Sequence, residues 1–393
     1  MNKPQIRFKG FEDEWKQSSF GALLNYIQPQ SYIVKSSKYK TRGIPVLTAG
    51  KSLLLGYTDE RFGVFNNLPC ILFDDFTTDS KFIDYPFKVK SSAAKMLVPF
   101  AKDANIYLLY LIMQNTSFEH SSHRRYWINE YSNIPIFLPS NAEQKQLTSI
   151  FAALDEMIAE AEREVNRLEK MKQASLQKMF PRPGASIPEI RFNGFVKDWS
   201  VTNLGSIGST YNGLSGKTKE DFGHGEARFV TYMNVFSNPI ANPFQVEAVE
   251  IDESQNAVKY GDILFTTSSE TPEEVGMSSV WQHNAAHVYL NSFCFGFRPT
   301  QTVHLNYIAY FLRSPFFRNN MVILAQGISR FNISKHKAME LPVLLPEISE
   351  QKAIGEFFRN LDALLSSKHQ KLTKLRNIKK ACLDKMFVNT SEL

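Results

Sequence analysis

Side chains able to do chemistry occur in this chain in several familiar-looking strings. Gly213-Leu-Ser-Gly216-Lys217-Thr218 has the tail of a phosphate-binding loop, but Tyr211 stands where that loop needs its first glycine. Asn238-Pro-Ile-Ala and Asn242-Pro-Phe approach the Asn-Pro-Pro-aromatic loop of adenine methyltransferases. Both lack the second proline, and no glycine-rich cofactor turn follows a strand. Glu143-Gln-Lys145 and Glu350-Gln-Lys352 have the Glu-x-Lys form of metal-dependent nucleases. They sit at expected helix starts, where Glu serves capping and the helix dipole, and no Asp on a preceding strand completes the set. His120/His123 and His283/His287 have ligand-like spacing without a Glu or Cys partner. No Ser/His/Asp or Cys/His grouping stands out. The expectation is a chain with no active site, no metal and no cofactor of its own.

What remains are side chains suited to recognition. Lys35, Lys38, Lys40 and Arg42 surround Tyr39 in an expected loop, and Arg124 and Arg125 lie in His123-Arg-Arg-Tyr-Trp127 before a closing strand. In the second half of the chain, Asn212, Lys217 and Lys219 occupy the place of the first loop. Arg330, Asn332 and Lys335, within Gly327–Lys337, occupy the place of the second. Arg, Lys and Asn on such loops hold phosphates and read guanine and adenine edges in the major groove of DNA. A solvated surface loop is the plain alternative at each of these positions.

The elements that would position these loops follow from an internal repeat. Pro4-Gln-Ile-Arg-Phe-Lys-Gly-Phe-Glu-Asp-Glu-Trp15 returns as Pro188-Glu-Ile-Arg-Phe-Asn-Gly-Phe-Val-Lys-Asp-Trp199. Pro139, Glu143, Gln144, Lys145, Phe151, Leu154 and Asp155 return as Pro346, Glu350, Gln351, Lys352, Phe358, Leu361 and Asp362, and Leu176-Gln-Lys-Met-Phe180 as Leu383-Asp-Lys-Met-Phe387. Between these frameworks, segments 16–133 and 200–340 resemble each other poorly. Each opens with strand-like runs such as Cys70–Phe73, Pro86–Lys90, Ala227–Tyr232, Asp262–Thr267 and Phe293–Phe297. Each then has a short helix, Ile106–Gln114 or Asn306–Leu312, and ends in a Pro-flanked strand, Ile134–Pro139 or Leu341–Pro346.

Apolar residues at Leu147, Ile150, Leu154, Met157, Ala161, Val165, Leu168 and Met171 recur at steps of three and four, a stripe on one helix face. Ser140-Asn-Ala-Glu143 has the form of a capping box at its start. The second copy repeats the stripe with Ile354, Phe357, Leu361, Leu364, Leu372, Leu375, Ile378, Cys382 and Met386, interrupted by Lys368. Helices of this size are on the order of 58 Å long and too long to bury a stripe under one small domain, so the two are expected to pack antiparallel as a coiled-coil spacer. The expected fold is α+β: a mixed domain over 1–139, a central helix over 140–181, a second mixed domain over 182–346, and a distal helix over 347–393.

Composition agrees with such a fold. The 393 residues are 43% hydrophobic and 13% aromatic, enough for real cores with substantial β structure. Three scattered cysteines give no disulfide framework or zinc cluster. The longest apolar run, Tyr107–Met113, is far short of a membrane span, and a cytoplasmic protein is expected. Net charge is +6, distributed as +5 over 1–138, −1 over 142–180, −2 over 188–345 and +5 over 349–387. No segment is a dense basic tract, so a nucleic-acid partner would have to find much of its phosphate clamp elsewhere.

The doubled framework, with long helices that each open after Pro with Glu-Gln-Lys and close with Leu-x-Lys-Met-Phe, resembles the specificity subunit of type I restriction–modification systems. The repeated Pro-x-Ile-Arg-Phe-x-Gly-Phe…Trp lead-in and Gly261-Asp-Ile-Leu-Phe265 are similar to that family too, and the likeness spans essentially the whole chain. It implies two target recognition domains on a helical spacer and a non-catalytic subunit that reads double-stranded DNA at an asymmetric bipartite site. It implies partners as well: two adenine methyltransferase subunits and, optionally, two restriction subunits. S-adenosylmethionine, ATP and magnesium would belong to those partners. A methylation-only or silent specificity subunit stays open within the same class. A non-DNA adaptor with two ligand-binding domains is the alternative from another class.

Overall fold

A computed structural model of the chain describes residues 3–50, 52–101, 104–120 and 124–388. The chain divides into two compact units, 1–162 with 370–393, and 163–369, so that each takes part of both long helices.

Unit 1 runs β1 (Lys16–Ser19), α1 (Phe20–Leu23), β2 (Leu24–Ile27), β3 (Ile44–Leu47), β4 (Leu54–Thr58), β5 (Cys70–Asp74), β6 (Ser80–Ile83), β7 (Lys88–Val89), β8 (Ala94–Pro99), α2 (Ile106–Asn115) and β9 (Pro135–Leu138) into the first long helix, α3 (Asn141–Lys178). Its strands form a four-stranded antiparallel sheet in the order β2-β8-β5-β6, a three-stranded sheet β4-β3-β7, and the pair β1-β9. Cys70–Phe73 and Lys88–Val89 are buried, as strands covered on both faces must be.

Unit 2 runs β10 (Ser200–Asn203), β11 (Gly208–Asn212), β12 (Phe222–Val230), α4 (Tyr232–Ser237), β13 (Val246–Val249), β14 (Ile263–Thr266), β15 (Ser268–Ser269), β16 (Ser278–Val280), β17 (Val288–Leu290), β18 (Cys294–Pro299), α5 (Leu305–Phe311), α6 (Pro315–Ile323), β19 (Phe331–Asn332), α7 (Lys335–Met339) and β20 (Pro342–Leu345) into the second long helix, α8 (Ile348–Met386). Its sheets have the orders β11-β18-β14-β16, β13-β12-β17 and β10-β20, with the small pair β15-β19 added. The units therefore share three strand arrangements although their sequences barely match between the frameworks. The parallel contact is repeated as well, β3 with β7 and β12 with β17. The strand expected over Ala227–Tyr232 ends at Val230, because Thr231 turns to cap α4, its hydroxyl accepting from the Asn234 N–H.

The long helices meet inside each unit. In unit 1, Arg376 donates to Glu162 at 2.7 Å, Lys379 pairs with Asp155, and the Phe151 and Phe387 rings lie 5.6 Å apart. In unit 2, Lys368 donates to Glu164 at 2.8 Å, Lys172 pairs with Asp362 at 2.5 Å, and the Phe180 and Phe358 rings are 5.7 Å apart. Residue numbers rise along one helix as they fall along the other, so the local packing is antiparallel.

Two details depart from the sequence reading. The buried seam of α8 is Ile354, Phe358, Leu361, Leu365, Leu372, Leu375 and Met386, while the expected Leu364 and Ile378 are exposed. On α3, Ile150, Met157 and Met171 are likewise exposed, whereas Phe151, outside the expected stripe, is buried together with the expected Leu147, Ala161 and Val165. Steps of four and three matching a partner helix select this track, with Lys368 set into it and neutralised by Glu164. The capping box is half formed. Ser140 Oγ accepts from the Glu143 N–H at 3.4 Å, but the Glu143 carboxylate turns away to an arginine.

Candidate nucleic-acid interface

That arginine is the residue the repeat preserves. Arg7 donates through Nε and Nη2 to the two oxygens of Glu143 at 2.7 and 2.9 Å, and Arg191 does the same to Glu350 at 2.6 and 2.7 Å. Both glutamates are buried, and the hydrogen bond each arginine donates to its glutamate holds the guanidinium pKa above its ordinary value. A second repeated tie follows. The Tyr107 hydroxyl donates to Asp155 at 2.6 Å and the Tyr310 hydroxyl to Asp362 at 2.8 Å, on the same aspartates that Lys379 and Lys172 neutralise. Glu-Gln-Lys is thus a joint between lead-in segment and helix. Its glutamine also donates to a proline carbonyl, Gln144 to Pro139 at 3.1 Å and Gln351 to Pro346 at 2.8 Å. The nuclease reading has no support from this geometry.

On this frame, unit 1 carries the Lys35–Arg42 loop between β2 and β3. The Glu60 carboxylate accepts the backbone N–H groups of Lys35 at 3.0 Å and Ser36 at 3.1 Å. Buried Lys88 lies 3.4 Å from the same carboxylate and donates to the carbonyls of Phe62 at 2.7 Å and Gly63 at 3.1 Å. Burial opposes ionisation of Glu60, but these partners outweigh it and keep its carboxyl below the usual range. The loop backbone is therefore pinned while the Lys35, Lys38 and Arg42 side chains stay exposed. Lys40 is exposed too, but it pairs with Asp59.

Arg124 pairs with Glu130 at 2.8 Å and sits over the Tyr126 ring, and Arg125 sits over the Phe76 ring. Tyr126 and Trp127, in the same string, are buried. Their backbone N–H groups donate to the carbonyl and the carboxylate of Asp75 at 2.9 and 3.0 Å. They anchor the arginines and are not themselves available to bases. His123 lies outside the described residues, and with it the His120/His123 pair; His120 bonds Thr78 Oγ1 at 3.1 Å.

Unit 2 brings its two expected loops together. Lys335 donates to Asn212 Oδ1, joining the end of β11 to α7. A cleft of about 440 Å³ lined by Asn203, Thr210, Lys335 and His336 opens beside the pair. Arg330 lies over the exposed Phe293 ring at 5.9 Å, and Asn332 sits in β19, opposite Ser268. The Ile333 N–H donates to the Thr267 carbonyl as Tyr126 does to that of Asp75, which puts Asn332 and Arg125 at matching positions.

Lys217 requires a correction. Its ammonium is largely covered, pairs with Asp252 at 2.8 Å and lies 4.0 Å from Asp221, and these bonds hold Asp252 well below the carboxylate range. Its charge is thus engaged within the protein by Asp252. Lys219 remains exposed. Arg313 is another cation withdrawn from binding. It is half-buried, donates to the carbonyls of Val235, Phe236 and Asn238 at 2.8–3.0 Å, and desolvation pushes its pKa down to about 9.

His283 Nε2 bonds the Ala241 carbonyl at 3.0 Å and His287 faces Glu253 at 3.5 Å, so the two do not converge. Among the described residues, no three His, Cys, Asp or Glu side chains are grouped to hold a metal ion.

Residues 196–377 match the family described as the type I restriction modification DNA specificity domain. The chain is 28% identical over 378 residues to the Escherichia coli type I restriction enzyme EcoR124I/EcoR124II specificity subunit, covering 91% of this chain and 89% of that one. The likeness is to the specificity subunits of type I restriction enzymes. The fold agrees: the crystal structure of a type I restriction–modification S subunit from M. genitalium superposes with a TM-score of 0.62 at 14% identity, over 98% of this chain and 99% of that one. A second chain, from a structure described as the basis of complex assembly and conformational transition of the type I R-M system, gives 0.53 at 15% identity over 96% and 98%. No described helix of the chain is long and apolar enough to cross a membrane.

Proposed function

We propose that the chain is the recognition subunit of a type I restriction–modification complex. It reads one asymmetric, bipartite site in double-stranded DNA and directs adenine methylation and restriction by partner subunits. One observation carries this reading. The same frame is built twice, with matching strand orders and matching Arg–Glu joints, while the loops set on it differ. Lys35, Lys38 and Arg42 answer to Asn212 and Lys219, and Arg124 and Arg125 to Arg330 and Asn332. Frames that are alike would present two units to duplex DNA in one manner, and loops that are unlike would make them prefer different bases. One half-site per unit, with unread bases between, is the outcome.

The subunit itself is not the catalyst. S-adenosylmethionine, ATP and magnesium are assigned to partners, two methyltransferase subunits and, in a restricting system, two restriction subunits. The repeated lead-in segments suit a doubled partner, since Ile6 and Ile190 are both half exposed at equivalent positions. The cytoplasm, where chromosomal DNA lies, is the assigned compartment.

Genome-wide mapping of methylated adenines, in cells with and without this chain and with its methyltransferase partner present in both, tests the reading. The expected result is one motif of two unlike halves that vanishes with the chain. A methylation pattern indifferent to the chain would overturn the assignment.

A further inference from the structure

Two apolar side chains stand bare on loops whose backbone is pinned by hydrogen bonds. Phe62 is 92% exposed and Ile328 is 97% exposed. Exposure of a large apolar residue is ordinary at a floppy tip, but neither loop is free to relax. Phe62 and Gly63 present their carbonyls to buried Lys88, and Glu60 fixes the preceding turn to the Lys35–Ser36 backbone. Gly63 has φ +65°, and a Cβ there would stand 2.2 Å from the Ser31 carbonyl oxygen. Ile328 lies in a loop closed by reciprocal Gln326–Asn332 backbone bonds of 2.9 Å. Gly327 has φ +145°, and a Cβ on it would stand 2.0 Å from the Arg330 carbonyl oxygen. In both places a buried cation or a closed backbone ring is spent on holding an apolar side chain out in water, next to a glycine that nothing else could replace.

The neighbours of both tips are cationic. Arg61 adjoins Phe62, makes no ion pair among the described residues, and shares the pinned loop system with Lys35, Lys38 and Arg42. Arg330 and Lys335 flank Ile328 within the same loop and helix. Other exposed apolar residues lack this setting. Phe244 is three residues from Glu247, Val196 lies in the lead-in segment, and Ile323 ends α6. Cations that hold phosphates around a rigid apolar tip are the arrangement by which proteins press an apolar side chain against a base step or a thymine methyl.

We propose that Phe62 and Ile328 are the apolar base-contacting tips of the two units, one for each half-site, and that they set part of the sequence preference there. This rests on the DNA-reading function proposed above. It adds Arg61 as a phosphate contact beside Phe62.

The test uses the full chain in complex with its methyltransferase and a duplex carrying the motif found by methylation mapping. Phe62→Ala should lower affinity about tenfold, with the loss of discrimination confined to substitutions in one half-site; Ile328→Ala should do the same, more weakly, for the other half. Neither side chain is charged, so the slope of log affinity against log salt should stay unchanged, whereas Arg61→Ala should lower that slope by about one. Ile323→Ala serves as the exposed apolar control and should bind as wild type, and the melting temperature of every variant should match wild type. Unaltered affinity and discrimination in Phe62→Ala and Ile328→Ala would overturn the inference, as would losses spread equally over both half-sites. If the wild-type chain yields no bipartite motif at all, it is the DNA-reading function that fails.

Discussion

Glu60 illustrates, at the scale of one residue, how an acid serves a basic loop. It contributes nothing attractive to DNA, yet it accepts two backbone N–H groups of the Lys35–Arg42 loop and faces Lys88. Its carboxyl is held below the unfolded value, so its contribution to stability is full above that value and is lost as pH falls through the folded one. Glu60→Gln should therefore cost about 1–2 kcal/mol at pH 7 in denaturant unfolding, with the gap to wild type closing in acid below about pH 4. The same variant should loosen binding at one half-site. The types of the recognition residues were legible in the sequence; their partners were not. Lys40 with Asp59, and Lys217 with Asp252, are ion pairs made across the chain by folding, and a run of cations looks alike whether or not it is neutralised. Phe62 carries no charge to mark it, although an aromatic between arginine and glycine is a signal visible in the sequence.

Among the elements, the repeated motifs located both long helices closely, because helix ends and prolines are local chemistry. What Glu143 and Glu350 do there was not visible, since their arginines come from segments 136 and 159 residues away. Arg7→Leu leaves a buried carboxylate alone and should cost about 3–5 kcal/mol in denaturant unfolding. Adding Glu143→Leu should recover much of that loss, because a buried pair replaced by apolar side chains exposes no orphan charge. Arg191→Leu with Glu350→Leu should behave alike. The helix seam lies one residue away from the expected stripe at several positions. Ile150 and Phe151 are both apolar, so periodicity permits either track, and only the facing helix decides.

For the molecule as a whole, the segments between frameworks looked unrelated, yet their sheets share strand orders. Strand order depends on where apolar alternation and turns fall, which many sequences satisfy, and not on residue identity. In unit 2, α3 passes through exposed residues 182–187 to the next lead-in segment, where the Ile190 N–H donates to the Lys178 carbonyl at 2.9 Å and Phe180 meets Trp199. In unit 1 the Ile6 N–H donates to the Lys385 carbonyl at 2.9 Å and Phe387 meets Trp15, with no peptide running directly from one to the other. The covalent link at 182–187 thus duplicates what non-covalent contacts achieve alone. A protease cut between Arg182 and Ile187 should leave both fragments eluting together on gel filtration with native circular dichroism; separation on cutting would show that the peptide bond is indispensable. A gene cut there and rejoined through a short linker between the present termini should likewise give a circular permutant that folds.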